Sequence, residues 1–319
     1  MADYLHPEQR RRIQALQQTF TARTEWPTWL VLAAVYSAWG GALYFHEALG
    51  LVLITVLLAL SSAWFMSVQH ELVHGHPTRH RWLNKILGYA PLAVWFPYTL
   101  YVATHLHHHN DENLTLPGID PESNYVSPEQ WERSGPVRRW LYRVRLSFWG
   151  RFVFGPAMSI AAIAAGALRQ LRQGDYRFGR MWLTHGSLTL LMLWGVNQVA
   201  GIHPLHYLFG VAYPALSIAM VRSYFEHRAT ADCKHRIAIN EAAWPMRLLF
   251  LNNNFHLVHH DMPGLAWYLL PKAYWPHRDA YYERSAGFRF DGYAGLAWRF
   301  GFRPIDAPLH PGLIDRRAP

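Results

Sequence analysis

The feature that most constrains this chain is residues 26–69, a run of 44 residues with one charged side chain, Glu47. At ~1.5 Å per residue a helix of that length would be about 66 Å long, roughly two hydrocarbon thicknesses. A turn at His46-Glu47 therefore divides it into two spans, residues 26–45 and 48–68. Residues 181–221 form a second stretch of 41 residues without Lys, Arg, Asp or Glu. Gly201-Ile-His-Pro204 interrupts its middle, which reads as the turn of a second hairpin.

Composition agrees with a membrane protein carrying a polar cap. Only 16% of the 319 residues are charged, 15% are aromatic, and 15 are Trp. The mean hydropathy of −0.06 is too low for spanning helices alone. The single cysteine, Cys233, excludes an internal disulfide and any cysteine-built zinc or iron–sulfur site.

The net charge of +9 reads first as the Lys/Arg excess of cytoplasmic loops. It also offers a docking face for an acidic redox protein or an anionic head group. No separate basic module exists, so nucleic acid is not an expected partner. The polar first 20 residues carry Arg10-Arg11-Arg12 and lack the apolar stretch and small-residue site of a cleavable signal.

Neither hairpin turn contains Lys or Arg. The outer flanks hold Arg10–Arg12, Arg138, Arg139, Arg143, Arg145, Lys234 and Arg236. The positive-inside rule then puts both termini and the flanks in the cytoplasm. Two more apolar stretches, residues 86–104 and 152–168, are expected to be interfacial or re-entrant, because a lone crossing by either would separate the motifs described next. The expected fold is an all-α integral membrane protein of one domain, residues 1–319. It has four spans in two hairpins, a cytoplasmic segment at 1–25, a cytoplasmic cap and an irregular tail at 303–319.

Three histidine clusters carry the chemistry: His70-Glu-Leu-Val-His74, His105-Leu-His-His108-His109 and His256-Leu-Val-His259-His260. In a helix, positions i, i+3 and i+4 share a face, so each H-x-x-H-H aims three imidazoles one way, and His70 and His74 do likewise. Eight nitrogen donors exceed the needs of one ion and point to a pair of transition-metal ions. His107 lies off the shared face of its cluster.

The motifs HELVH, HLHHH and HLVHH, with their order and the hairpins between them, resemble the membrane fatty acid desaturase and hydroxylase superfamily. Arg81-Trp-Leu-Asn84, Gly118-Ile-Asp120-Pro-Glu122 and Arg222-Ser-Tyr-Phe-Glu226-His227 look like its bacterial branch. The resemblance implies a nonhaem di-iron centre that activates O2 and takes hydrogen from an unactivated C–H bond. Carried across, the ligands are His70, His74, His105, His108, His109, His256, His259 and His260, with His227 as the ninth. Where some relatives have an Asn one turn before the ninth histidine, this chain has Ser223.

Metal-bound imidazoles commonly donate their other N–H to a carboxylate. Asp120, Glu122, Glu226 and Asp261 are the candidates for that role, with Ser223 and His107 also near the ligands in sequence. His76 and His80, separated by Pro77, and His185 inside the third span read as structural.

The resemblance implies a lipid or acyl substrate at a bacterial inner membrane. The absence of ferredoxin-type cysteines and of a haem module makes a separate donor protein of ferredoxin, rubredoxin or cytochrome b5 type the expected electron source. Acyl desaturation is the first expectation. Hydroxylation or ketolation of a hydrocarbon or carotenoid, and oxidative decarboxylation to a terminal alkene, begin with the same hydrogen loss. Two other readings are a His-rich metal transporter and a receptor with structural zinc. The first needs ligands at mid-membrane rather than at span ends, and the second needs only four ligands.

Overall fold

Two stretches of the sequence become helical hairpins because proline and glycine punctuate uncharged helix formers at their ends. A computed structural model describes residues 3–314. Its main helices are α1 (Pro7–Gln17), α2 (Trp26–Tyr44), α3 (His46–Val73), α4 (Arg81–Gly88), α5 (Tyr98–His108), α6 (Pro136–Val144), α7 (Phe148–Arg172), α8 (Gly179–Ala200), α9 (Pro204–Arg222), α10 (His256–Asp261) and α11 (Tyr293–Phe300). Two short strands, β1 (Ile239–Asn240) and β2 (Arg289–Phe290), pair in parallel with Ile239 opposite Arg289. The chain forms two compact units, each assembled from separate stretches of sequence.

One unit comprises residues 25–102 and 155–219. Pro27 stands in the first turn of α2, where its missing N–H costs nothing. The turn between α2 and α3 falls at Phe45, beside the expected His46-Glu47. Gly201, at φ 64°, ends α8 in the left-handed conformation, and Pro204 opens α9, with the His203 ring accepting from the Leu205 N–H. Leu43, Ile54, Leu58, Leu193, Val196 and Val211 form the unit's buried core. The Trp39 indole N–H donates to the Tyr207 hydroxyl at 3.1 Å. On α3, Leu58 is fully buried while Val52 is 80% exposed. An apolar outer face of that kind suits lipid rather than water.

By length and composition, three helices among the described residues are fit to cross a membrane: α3, α7 and α9. The segments 81–93 and 98–108 pass the same test together but are bent by 109°, as a broken span or re-entrant loop would be. Helices also occupy the other two expected spans, α2 and α8. Neither is among the helices that pass that test, and α8 contains Arg180, His185, Asn197 and Gln198.

Residues 152–168, expected to be interfacial or re-entrant, lie within one continuous 25-residue helix that contains Pro156. One proline removes a single N–H, and the apolar residues around it keep the helical hydrogen bonds elsewhere. Helix α3 ends at Val73, and Gly75 just beyond it takes a left-handed φ of 90°.

The second unit comprises residues 3–24, 103–154 and 220–314 of those described. The N-terminal segment is ordered as α1, whose Ile13 enters a core with Phe255, Leu257, Val258, Tyr274 and Tyr281. Gln9 is also buried and donates to the Tyr281 hydroxyl at 2.8 Å. The tail is less irregular than expected. Leu309 bridges Val126, His310 meets the Thr115 hydroxyl at 3.1 Å, and Pro311–Ile314 is helical. Residues 315–319 of the expected tail lie outside the described residues.

Candidate metal centre

Both H-x-x-H-H motifs fold as the sequence dictates. His105 and His108 stand on α5, and the His109 N–H continues the helical ladder to the His105 carbonyl at 3.2 Å. His256, His259 and His260 stand on α10 and are all buried. His107 points away and is exposed. His227 is held by an antiparallel bridge to Ile237, and the Ala238 N–H donates to the Glu226 carbonyl at 2.8 Å. The Leu257 N–H donates in turn to the Ala238 carbonyl at 3.2 Å. This backbone relay ties the segment after α9 to the start of α10.

Seven imidazoles of this unit thereby gather in two groups. His108, His227, His256 and His260 each offer a nitrogen within 4.8 Å of the others, and so do His105, His109 and His259. Within the first group, His227 Nε2 lies 3.0 Å from both His108 Nε2 and His256 Nε2. Within the second, His109 Nε2 lies 3.1 Å from both His105 Nε2 and His259 Nε2. Two nitrogens held at right angles about 2.1 Å from one ion stand about 3.0 Å apart, so these spacings fit the edges of a metal coordination shell. In the other unit, His70 and His74 close the C-terminal end of α3, with ring centroids 4.9 Å apart.

Burial, and then the neighbouring imidazoles, hold His227, His256 and His260 well below the ordinary imidazole range, which favours their neutral, metal-binding form. His108 goes the other way: against burial, Glu122 and Asp120 raise it to about 9. Neutral imidazole is a good ligand for iron, and no thiolate enters the set.

The carboxylates divide sharply. Asp120 is buried, and its Oδ1 accepts from His108 Nδ1 at 2.9 Å. Its Oδ2 accepts from the Thr115 N–H at 2.8 Å. Glu122 Oε1 faces His105 Nδ1 at 3.0 Å. Glu226 Oε1 stands 3.5 Å from His256 Nδ1 and 3.4 Å from Arg222 Nη1. Burial raises the Glu226 carboxyl to about 7, against the pull of Arg222. Asp261 pairs with Arg284 at 2.7 Å. Ser223 Oγ meets Arg151 Nη2 at 3.4 Å.

Sequence reasoning missed Asn253, whose Oδ1 lies 3.3 Å from His256 Nδ1. It also missed Asn254, whose amide donates to the Asn240 carbonyl and so anchors the turn before α10. The run Asn252-Asn253-Asn254 was the available signal, since Asn tolerates the left-handed φ of 55° found at Asn252. Of the histidines read as structural, two make internal contacts and His80 is exposed. His76 Nδ1 meets Glu25 Oε1 at 2.8 Å, and buried His185 bonds the Val94 carbonyl.

The family model described as fatty acid desaturase covers residues 48–292, which include all three histidine clusters and His227. No curated protein matches the chain. Over three quarters of its length, and with the helices and histidine groups just described, the chain belongs to the fatty acid desaturase family.

Proposed function

We propose that this protein is an O2-dependent, nonhaem di-iron oxidoreductase that desaturates the aliphatic chain of a lipid. Family membership gives the coarser statement, desaturase or hydroxylase-type chemistry on a lipid or acyl substrate by an integral membrane protein. The observation that carries the finer reading is the pair of histidine groups, one of four imidazoles and one containing three, with internal Nε2 spacings of 3.0–3.1 Å.

The ligands in this proposal are His108, His227, His256 and His260 for one iron, and His105, His109 and His259 with His70 and His74 for the other. When bound, the two irons supply the oxidising power that turns O2 on an unactivated C–H bond. The chain's own residues do the rest. Asp120 fixes the ring of His108 through Nδ1–H. Glu122 does the same for His105, and Glu226 with Asn253 for His256. Burial of the imidazoles keeps bulk water from the oxidant.

The whole chain acts as one catalytic domain. That residues 103–154 and 220–314 fall in one compact unit supports an even number of crossings between them. In our reading α8 and α9 cross and α7 lies along the interface. With α2 and α3 they make two hairpins, with the termini and metal centre cytoplasmic at a bacterial inner membrane. Electrons arrive from a separate protein of ferredoxin, rubredoxin or cytochrome b5 type.

Mass spectrometry of lipids from cells with and without the protein tests the reaction type. Desaturation predicts an acyl product lighter by two hydrogens. A product heavier by one oxygen replaces this reading with hydroxylation, and an unchanged lipid profile in cells supplied with a donor protein contradicts both.

A further inference from the structure

Helix α6 is amphipathic with its apolar side turned outward. Val137, Trp140, Leu141 and Val144 follow the i, i+3, i+4, i+7 spacing of one face. Val137 is 72% exposed and Trp140 50% exposed. The opposite side is held to the unit by cations. Arg139 donates to the carbonyls of Trp131 and Glu132, and Arg139 and Arg143 lie over the Trp131 ring at 5.4 and 5.2 Å. A water-facing helix would have the reverse arrangement.

A second outward apolar element adjoins it. The Trp149 N–H, in the first turn of α7, donates to the Gly301 carbonyl at 2.9 Å just beyond α11. There Trp298 is 94% exposed and Phe302 86% exposed. The edge of Trp140 meets Phe154 with ring centroids 5.3 Å apart, so α6 and the start of α7 share one surface. Arg138, Arg299 and Arg303 are exposed around these aromatics. Among the described residues no carboxylate pairs with any of the three.

We infer that α6, the first turn of α7 and the end of α11 form a collar that sits in the membrane interface and binds anionic lipid headgroups. Tryptophan and aliphatic side chains settle at the headgroup–acyl boundary, and arginines beside them attract negative headgroups. The charge chooses a phosphate-bearing lipid over an apolar protein partner. Continuity with α7, long and apolar enough to enter the bilayer, places lipid beside the collar. The surface is separate from the metal chemistry, so its failure would leave the proposed reaction intact.

The test uses the full-length, metal-loaded protein in nanodiscs of phosphatidylcholine with or without phosphatidylglycerol. In a Cys233→Ser background, nitroxide labels are placed by Val137→Cys and Phe302→Cys, which leave every tryptophan in place. Asp232→Cys, on an exposed loop, gives the aqueous reference. The expected result is that both collar labels collide more with O2 than with a water-soluble nickel chelate, while the reference does the opposite.

Phosphatidylglycerol should also be enriched in lipid retained by the protein. Replacing Arg138, Arg299 and Arg303 by Gln should lower that enrichment by up to about fivefold per arginine. Collar labels as exposed to nickel as the reference would overturn the inference. Labels shielded from both reagents, as a second copy or an acidic protein would shield them, would overturn it too. So would retention of phosphatidylglycerol unchanged by the arginine replacements.

Discussion

Asp120 accepts a hydrogen bond from Nδ1 of His108 at 2.9 Å, with both side chains buried. That contact orients the His108 ring so that Nε2 stands 3.0 Å from Nε2 of His227. Asp120 is itself fixed by the backbone N–H groups of Thr115 and Glu122 at 2.8 and 2.9 Å. The chain of restraint therefore runs from loop backbone to carboxylate to imidazole.

Asp120→Asn should weaken metal binding by about 10–100-fold, the usual cost of losing such a carboxylate. Competition with a chelator measures this, with circular dichroism to confirm that the fold is retained. Full metal affinity in a folded variant would remove Asp120 from the account.

Replacing His108 or His260 by Ala should abolish product formation and lower the iron content. His107→Ala should change neither, because His107 is exposed and off the shared face. Ser223→Ala should have a much smaller effect than either ligand variant, since Ser223 Oγ contacts Arg151 at 3.4 Å. Product analysis and elemental analysis of the four variants check these statements together.

Acid should destabilise the protein. The imidazoles held low by burial, His109, His227, His256 and His260, outnumber the two groups that act in the opposite sense, His108 raised to about 9 and Glu226 raised to about 7. Burial depresses the folded-state values of His227, His256 and His260 below the ordinary imidazole value of about 6.5. In the unfolded chain these rings take up protons first as the pH falls. Their contribution to stability is therefore complete above about pH 6.5 and is lost progressively below it, towards the lower folded-state values. Thermal melts of the metal-free protein from pH 8 to pH 5 should show the midpoint dropping, chiefly below about pH 6.5. A midpoint that rises with acidification would contradict the neutral-imidazole assignment.

Metal removal should lower the melting temperature at constant pH, because an ion bound only by the folded state stabilises it by mass action. Calorimetry before and after chelation, and after iron is restored, measures the effect. Identical melts in the two states would count against a site built to hold metal.

Gly150→Ala should be destabilising by about 1–3 kcal/mol. A Cβ on Gly150 would run into the carbonyl oxygen of Val144 and the Ser147 hydroxyl, at the corner between α6 and α7. Thermal melting measures the loss. A melt unchanged from the parent would mean that this corner is looser than described.

Much of this was legible in the sequence because membrane helices and histidine motifs are local patterns. The hairpin breaks at Phe45 and Gly201–Pro204 follow from a run without charge and from glycine and proline. The imidazole faces follow from helical spacing. What was hidden depends on distant partners. Nothing near Glu122 announces its contact with His105, 17 residues away, and nothing near Asp261 announces Arg284. The length of α7 was obscured because Gly155-Pro156 has the same local signature whether a helix breaks there or continues. The outward face of α6 was invisible because a hydrophobic stripe does not say which way it points.

The central claim is that histidines from separate stretches of this chain hold a pair of iron ions. Elemental analysis of purified protein, reconstituted under reducing conditions, tests it most directly. The account predicts about two irons per chain, falling together with product formation when His108 or His260 is replaced by Ala. A single tightly held zinc, or full activity from protein without iron, would contradict it.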